Sequence, residues 1–237
     1  MELSISIIIP TFNEQNYLPK LLSSIKKQSV QPKEIIVADA FSADKTRDLA
    51  KKYGCIVVDG GLPAKARNNG AKIATQPILL FLDSDVVLPK KFLEETVAEM
   101  QRRKLAITSC FITPRSTLKM DHFLHQFANH YMRLTQKFSP HIPGFCIFVK
   151  RDLHQKLNGF DESVKLAEDH DYVRRARKHG KFAYLKSYKI PVSVRRLSED
   201  GRLKIALKYI AIELHMIFLG KIKTNIFKYN FGSHFME

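Results

Sequence analysis

The feature that most constrains this chain is a five-residue apolar run, Ile78 to Leu82, that stops abruptly at Asp83-Ser84-Asp85. An apolar run that short, without alternation, predicts a strand buried on both faces, as in a parallel sheet covered by helices. Such strands open at their C-terminal ends onto a ligand crevice. Two carboxylates one residue apart at that end offer hard oxygen ligands to Mg²⁺ or Mn²⁺ bound to a substrate diphosphate. The competing reading is an acidic turn before a helix started by Pro89, with Ser84 or Asp85 as its cap. The strand alone does not choose between them.

The flanking chain repeats a strand-then-helix pattern. Ser4 to Ile9 reads as a strand closed by Pro10, and Leu18, Leu21, Leu22 and Ile25 mark one face of a helix ending near Gln28. Thr11 and Glu14 have capping-box spacing, which predicts helix initiation there, with free amides aimed at the crevice. Glu34 to Val37 and Cys55 to Val58 predict two further strands, followed by helices near Leu49 to Tyr53 and from Ala64, with Pro63 in a favoured first-turn position. Lys90 to Arg103 predicts a fourth helix. Four such units predict an α/β fold with a doubly wound, mostly parallel sheet flanked by helices.

Ligands should then collect at Pro10 to Glu14, Asp39, Gly60 to Arg67 and Asp83 to Asp85, which all follow strand ends. Asp39 could accept from a base or sugar hydroxyl, or simply shape a turn. Lys65 and Arg67 could neutralise phosphates, or form a solvated helix face.

Charge narrows the partners without choosing one. Against 23 acidic residues stand 39 Lys and Arg, a net +16, which implies a polyanionic neighbour: nucleic acid, an anionic membrane or a phosphorylated substrate. Cys55, Cys110 and Cys146 lie far apart, so neither a zinc site nor a disulfide framework is indicated and a reducing, cytoplasmic compartment is expected. The amino terminus reads as a first strand and not a signal peptide.

In order along the chain, several stretches resemble family 2 glycosyltransferases, the inverting nucleotide-sugar enzymes of the GT-A fold. They are Ile7 to Leu18, Glu34 to Thr46, Ala64 to Gly70, Leu80 to Asp85, Gly144 to Arg151, Gly159 to Glu162, and Glu168-Asp169-His170-Asp171 with Arg174. The resemblance covers residues 4 to 187. It implies that Pro10, Thr11, Glu14 and Asp39 hold the nucleoside and that Arg67 lies near the diphosphate. Asp83, with Ser84 beside it, would contact ribose or sugar, Asp85 would ligate Mg²⁺ or Mn²⁺, and Asp169 would be the general base. The family's second motif often has Asp and Gly where this chain has Ala40 and Phe41, which leaves UDP against GDP open. The implied partners are a nucleotide-diphosphate sugar and a lipid-linked or saccharide acceptor, with no nucleic acid.

From the residues alone, Glu168, Asp169 and Asp171 open a helix that ends in Arg174, Arg175, Arg177 and Lys178, an order that the helix dipole favours by itself. His122 and His125, three apart on a helix from Leu118 to Gln136, are expected on the helix surface or in the acceptor cleft. The segment from Arg202 to Leu219 is very apolar but interrupted by Lys204, Lys208, Glu213 and His215, so it is too short and too charged to span a bilayer. It is expected either to pack on the domain or to lie peripherally on an anionic membrane at its inner face, with Lys221, Lys223 and Lys228 toward lipid. The expected organisation is a GT-A-like domain over residues 1–196, with a nucleotide-binding half (1–103) and an acceptor half (104–196), then a helical and basic appendage (197–237).

Two rivals remain. A strand ending in Asp-x-Asp is also similar to haloacid-dehalogenase-like phosphatases, which want that motif on the first strand. A basic nucleic-acid-binding protein would fit the charge, but no zinc-finger or RNA-binding signature appears.

Overall fold

The computed structural model describes residues 2–194, 197–198, 201–224 and 226–227. Four parallel strands, β1 (Glu2–Thr11), β2 (Gln31–Asp39), β3 (Ile56–Asp59) and β4 (Ile78–Leu82), carry the first half. The helices between and after them are α1 (Leu18–Lys26), α2 (Thr46–Lys52), α3 (Pro63–Ile73) and α4 (Phe92–Arg102). The short strands β5 (Ile107–Thr108) and β6 (Phe111–Pro114) then lead to α5 (Lys119–Thr135) and β7 (Cys146–Lys150). After these come α6 (Arg151–Lys156), α7 (Glu168–Ala176), β8 (Lys189–Val192) and α8 (Arg202–Phe218). The main sheet has the order β3-β2-β1-β4-β7-β5, and β6 pairs with β8 in a separate two-stranded sheet.

The sheet is doubly wound and mostly parallel, as expected, with one addition. β7 runs antiparallel to β4, with Leu82 opposite Cys146, and β5 runs antiparallel to β7. The crevice edge is therefore made of the C-terminal ends of four strands and the N-terminal end of a fifth.

Strand periodicity divides the core into two layers. Ile5, Ile7, Ile9, Leu80 and Leu82 pack against α1 and α4 through Leu21, Ile25, Phe92 and Val97. Their neighbours in sequence, Ile8, Leu79 and Phe81, point the other way and meet α3 and α7 through Ala64, Ala71, Tyr172 and Val173. Side chains on a strand alternate between faces, and here both faces are apolar because both are covered. At Gly70 of α3 a Cβ would lie 2.5 Å from Ile8 Cγ2, so only glycine lets this helix sit so low on β1.

Two expectations are corrected. Thr11 and Glu14 do not form a capping box: α1 starts at Leu18 with Tyr17 as N-cap, because Thr11 still belongs to β1 and its hydroxyl is taken by Asp39. Lys221, expected toward lipid, is exposed with its ammonium already paired with Asp161 at 2.7 Å and Asp171 at 3.1 Å. Lys223 is exposed, and Lys228 lies outside the described residues. Helix α8 buries Ile212 and Met216 against Leu166 and Ile222, buries Ile205 as well, and leaves its outer face in solvent. No helix among the described residues is long and apolar enough to cross a membrane.

Candidate active site

At one end of the crevice, β1 and β2 finish in register, Thr11 beside Asp39. The Asp39 carboxylate has no solvent exposure and accepts from Thr11 Oγ1 at 2.9 Å, Ser42 N at 2.9 Å and Ser42 Oγ at 2.6 Å. Arg47 Nη1 reaches it at 3.4 Å and also contacts Asp59 at 3.2 Å. Four donors fill the lone pairs of a carboxylate. Asp39 thus organises the turn that sequence reasoning offered as its plain role. Asn13 N donates to Ser42 Oγ at 2.8 Å and Glu14 N to Thr46 Oγ1 at 2.8 Å, so the loops after β1 and β2 are zipped together. Pro10 and Glu14 are half-buried on this edge, and Phe41, at φ +59, stands 69 % exposed on its crest.

At the other end, Ser84 is buried while Asp83 and Asp85 are half-exposed. Asp83 N donates to Phe145 O at 3.2 Å, which fixes the acidic loop to the entry of β7. Asp85, Tyr17, Lys20, Arg115 and Ser193 line a cleft of about 310 Å³. A carboxylate oxygen beside two basic side chains suits a divalent ion and the phosphates it would neutralise.

Between these ends lies Arg67. The inward face of α3 is Ala64, Arg67, Asn68 and Ala71, at i, i+3, i+4 and i+7, which puts the arginine under the sheet edge at 3 % exposure. Lys65, by contrast, is solvated. Arg67 Nη1 donates to Glu168 at 2.6 Å, and Nη2 donates to Asp83 at 3.2 Å and to Gly144 O at 3.3 Å. Its Nε is buried with no hydrogen-bond partner among the described residues. One guanidinium therefore joins α3, the acidic loop, the entry of β7 and the start of α7.

Asp169 sits on the far side of Gly144. A Cβ at Gly144 would lie 2.9 Å from Arg67 Nη2 and 2.9 Å from Asp169 Oδ2, so only glycine leaves these groups facing one another. The turn into α7 runs through Ala167 at φ +60, a left-handed position that costs a residue with a side chain about 1 kcal/mol. Burial pushes the Asp169 carboxyl up to about 6, with Arg67 pulling it back and Asp83 pushing further. Burial also raises the Glu168 carboxyl, Asp169 adds to that, and Arg67 opposes it. The acids that open α7 thus do more than answer its dipole.

Glu168 as the partner of Arg67, and Gly144 as the spacer, were not picked out by sequence reasoning, although the spacing of Ala64, Arg67 and Ala71 marks the arginine as inward-facing. His125 is buried, with Nδ1 2.7 Å from Asp121 O, and the exposed His122 has Nε2 2.8 Å from Ser116 O. A different trio, His141, His170 and Glu213, comes within 4.8 Å. Its charge is already answered: Glu213 bonds His141 Nε2 at 2.6 Å, and Arg174 lies 3.4 Å from Glu213 and 3.3 Å from His141 Nε2. A metal ion would have to share this space with a guanidinium, so the trio is an anchor that ties α8 to the loop before β7 and to α7.

A family model described as glycosyl transferase family 2 matches residues 6–157. The poly(ribitol-phosphate) beta-N-acetylglucosaminyltransferase TarS of Staphylococcus aureus is 35 % identical over 104 residues, 39 % of this chain and 18 % of that protein. The chain spans about a fifth of the length of curated relatives such as this one and the validoxylamine A glucosyltransferase of Streptomyces hygroscopicus. In structure, the mannosyltransferase PcManGT from Pyrobaculum calidifontis, in complex with GDP-Man and Mn²⁺, superposes with a TM-score of 0.69 at 21 % identity, over 90 % of this chain and 65 % of that one. TarS 1–349 in complex with UDP-GlcNAc gives a TM-score of 0.67 at 22 % identity, over 91 % of this chain and 67 % of that one. These likenesses establish the GT-A fold, and the match of the family model over well over half of the residues establishes the family: the chain belongs to glycosyl transferase family 2.

Proposed function

We propose that this protein is a metal-dependent, inverting glycosyltransferase that moves a sugar from a nucleotide-diphosphate donor to an acceptor hydroxyl. The observation that carries the reading is the meeting of Arg67, Asp83 and Asp169 around Gly144 at the crevice edge. It joins the end of the nucleotide-binding half (1–103) to the acceptor half (104–196). The phosphatase reading is set aside by the family match, and the Asp-x-Asp motif follows the fourth strand, not the first. No nucleic-acid partner is proposed, because the sequence carries no zinc-finger or RNA-binding signature.

In this reading the nucleoside lies toward Pro10, Thr11 and Glu14, on the loop that Asp39 shapes. The ribose and sugar lie toward Asp83 and Ser84. Arg67 acts from beneath, holding Asp83 and Glu168 in place. The half-exposed carboxylate of Asp85 fits Mg²⁺ or Mn²⁺, which when bound would offset the charge of the departing diphosphate. Asp169 removes the proton from the acceptor hydroxyl. The oxygen bonds to the anomeric carbon from the side opposite the diphosphate, the bond to the diphosphate oxygen breaks, and its electron pair leaves with that group. A single displacement inverts the configuration and needs one base.

The GDP-Man and UDP-GlcNAc complexes of PcManGT and TarS support a nucleotide-sugar donor. Ala40 and Phe41 keep the nucleobase open, and the acceptor is a lipid-linked or a saccharide hydroxyl.

Thermal unfolding in UDP, GDP, CDP and dTDP, each with and without Mn²⁺, tests the donor half. One nucleotide should stabilise the protein only with metal, by ~2.7 kcal/mol at 100 times its dissociation constant. Asp85→Asn should remove the metal-dependent part. Stabilisation that survives Asp85→Asn unchanged would take Asp85 out of the metal role.

The pH profile tests the base. Only deprotonated Asp169 can accept the acceptor's proton, and its carboxyl is raised to about 6. Transfer should therefore rise tenfold per pH unit below about 6 and level off above it. A rate already flat from pH 4 upward would exclude Asp169 as the titrating base.

A further inference from the structure

Helix α5 is built inside out. Its inward face carries Asp121, His125 and Thr135 beside Met132, all buried, while Met120, Phe123, Phe127 and Leu134 are 56 to 66 % exposed. A helix on a water-soluble domain is expected to turn its apolar stripe inward. α8 adds a second stripe, Leu203, Leu207, Ile210, Leu214 and Ile217, 49 to 73 % exposed and spaced four, three, four and three residues apart.

The two helices are joined by rungs at matching heights. Asp121 near the start of α5 takes Arg202 of α8 at 2.7 and 3.1 Å, and further along Tyr131 of α5 packs on the His141 ring, which bonds Glu213 of α8 at 2.6 Å. From Asp121 to Tyr131 and from Arg202 to Glu213 the rise is about 15 Å in each helix. The helices therefore run side by side in the same direction. At about 100° per residue, each apolar stripe lies roughly 90° from the rungs, in opposite rotational senses on the two helices. For parallel neighbours that puts both stripes on one side, away from the body of the domain.

We infer that this two-helix face is a docking platform for an anionic lipid surface. Large apolar patches on a surface mark interaction or membrane sites, and nine large apolar side chains of the two stripes are exposed here. Charge identifies the occupant. The only acids of the two helices, Asp121 and Glu213, are turned into the rungs, while Lys119, Arg133 and Lys204 on them and Lys137 just beyond α5 are exposed. A second copy would bring like charge against like charge, from chains of net +16 each. Anionic headgroups complement the lysines, and the Phe and Leu side chains can enter the headgroup and acyl boundary. Beside the platform, the rung residue Glu213 bonds His141, which packs on His170, and His170 follows Asp169 directly. An acceptor carried in the membrane would reach the base from that side. The docking itself stands on the surface and not on the transferase chemistry.

Co-sedimentation of the full chain with phosphatidylglycerol-containing vesicles, beside pure phosphatidylcholine vesicles, tests the inference. Pelleting should favour the anionic vesicles and weaken as salt screens the lysines. The pair Phe123→Glu and Phe127→Glu, and separately the pair Leu207→Glu and Leu214→Glu, should each lower vesicle affinity by about tenfold or more. The far-UV circular dichroism and the unfolding transition of both variants should match the parent. The inference is overturned by absence of pelleting at low salt, or by pelleting that both pairs leave unchanged. It is equally overturned if light scattering shows a dimer that the same substitutions dissolve, since a second copy is then the occupant.

Discussion

Asp169→Asn is expected to lower sugar transfer by about 10²–10⁴-fold while leaving metal-dependent nucleotide binding intact, the range that a lost general base covers. The substitution keeps the shape of the side chain and an oxygen able to accept from His170 N, as Asp169 Oδ1 does at 2.8 Å. What it removes is the capacity to take a proton. Because the carboxylate is raised by burial, its neutral replacement should not weaken the fold. Initial rates across pH for parent and variant, with thermal shifts in the preferred nucleotide and Mn²⁺, separate chemistry from binding. The residual rate of the variant should lose the rise centred near pH 6. Full transfer in Asp169→Asn would remove this residue from the base role and leave the donor site standing.

Arg67→Met carries the second large effect, first on stability. The guanidinium, 3 % exposed, pairs with Glu168 at 2.6 Å and Asp83 at 3.2 Å and bonds Gly144 O. Removing one partner of a buried ion pair costs about 3–5 kcal/mol, because the other charge remains without compensation. Denaturant unfolding should report a loss of that size, and Arg67→Lys should recover little of it, since one ammonium cannot serve several planar acceptors. Arg67→Met combined with Glu168→Gln should be less destabilised than Arg67→Met alone. Arg67 also holds the Asp169 carboxyl down, so any remaining activity should need a higher pH. Unchanged unfolding in Arg67→Met would mean that the cluster is not held by this arginine.

Much of this arrangement is legible in the sequence, for identifiable reasons. Ile5 to Ile9 and Leu79 to Leu82 are apolar at every position or nearly so, and continuous runs of that kind fit only a sheet covered on both faces. The strand ends then place Asp39, Arg67 and Asp83 on one edge by topology alone. The antiparallel β7 was not legible, since Cys146 to Val149 reads like any other buried strand and direction leaves no mark on composition. The start of α1 is not marked by the capping spacing of Thr11-Phe12-Asn13-Glu14, because the competing partner of Thr11 lies 28 residues away at Asp39. The inverted face of α5 was hidden as well. Phe123, Phe127 and Tyr131 have core spacing, and only the depth of Asp121, beneath Arg202, shows which side is inward.

The bond between Arg67 and Glu168 spans 101 residues of sequence. On a ribosome adding about 5–20 residues per second, the arginine therefore has only Asp83 for about 5–20 s before its second counter-ion is made. Until then the first four strands can assemble around a buried cation with no glutamate opposite it. The nascent nucleotide-binding half should remain open to proteases and chaperones until α7 has emerged, and it should become rigid in the same step that brings Asp169 to the crevice.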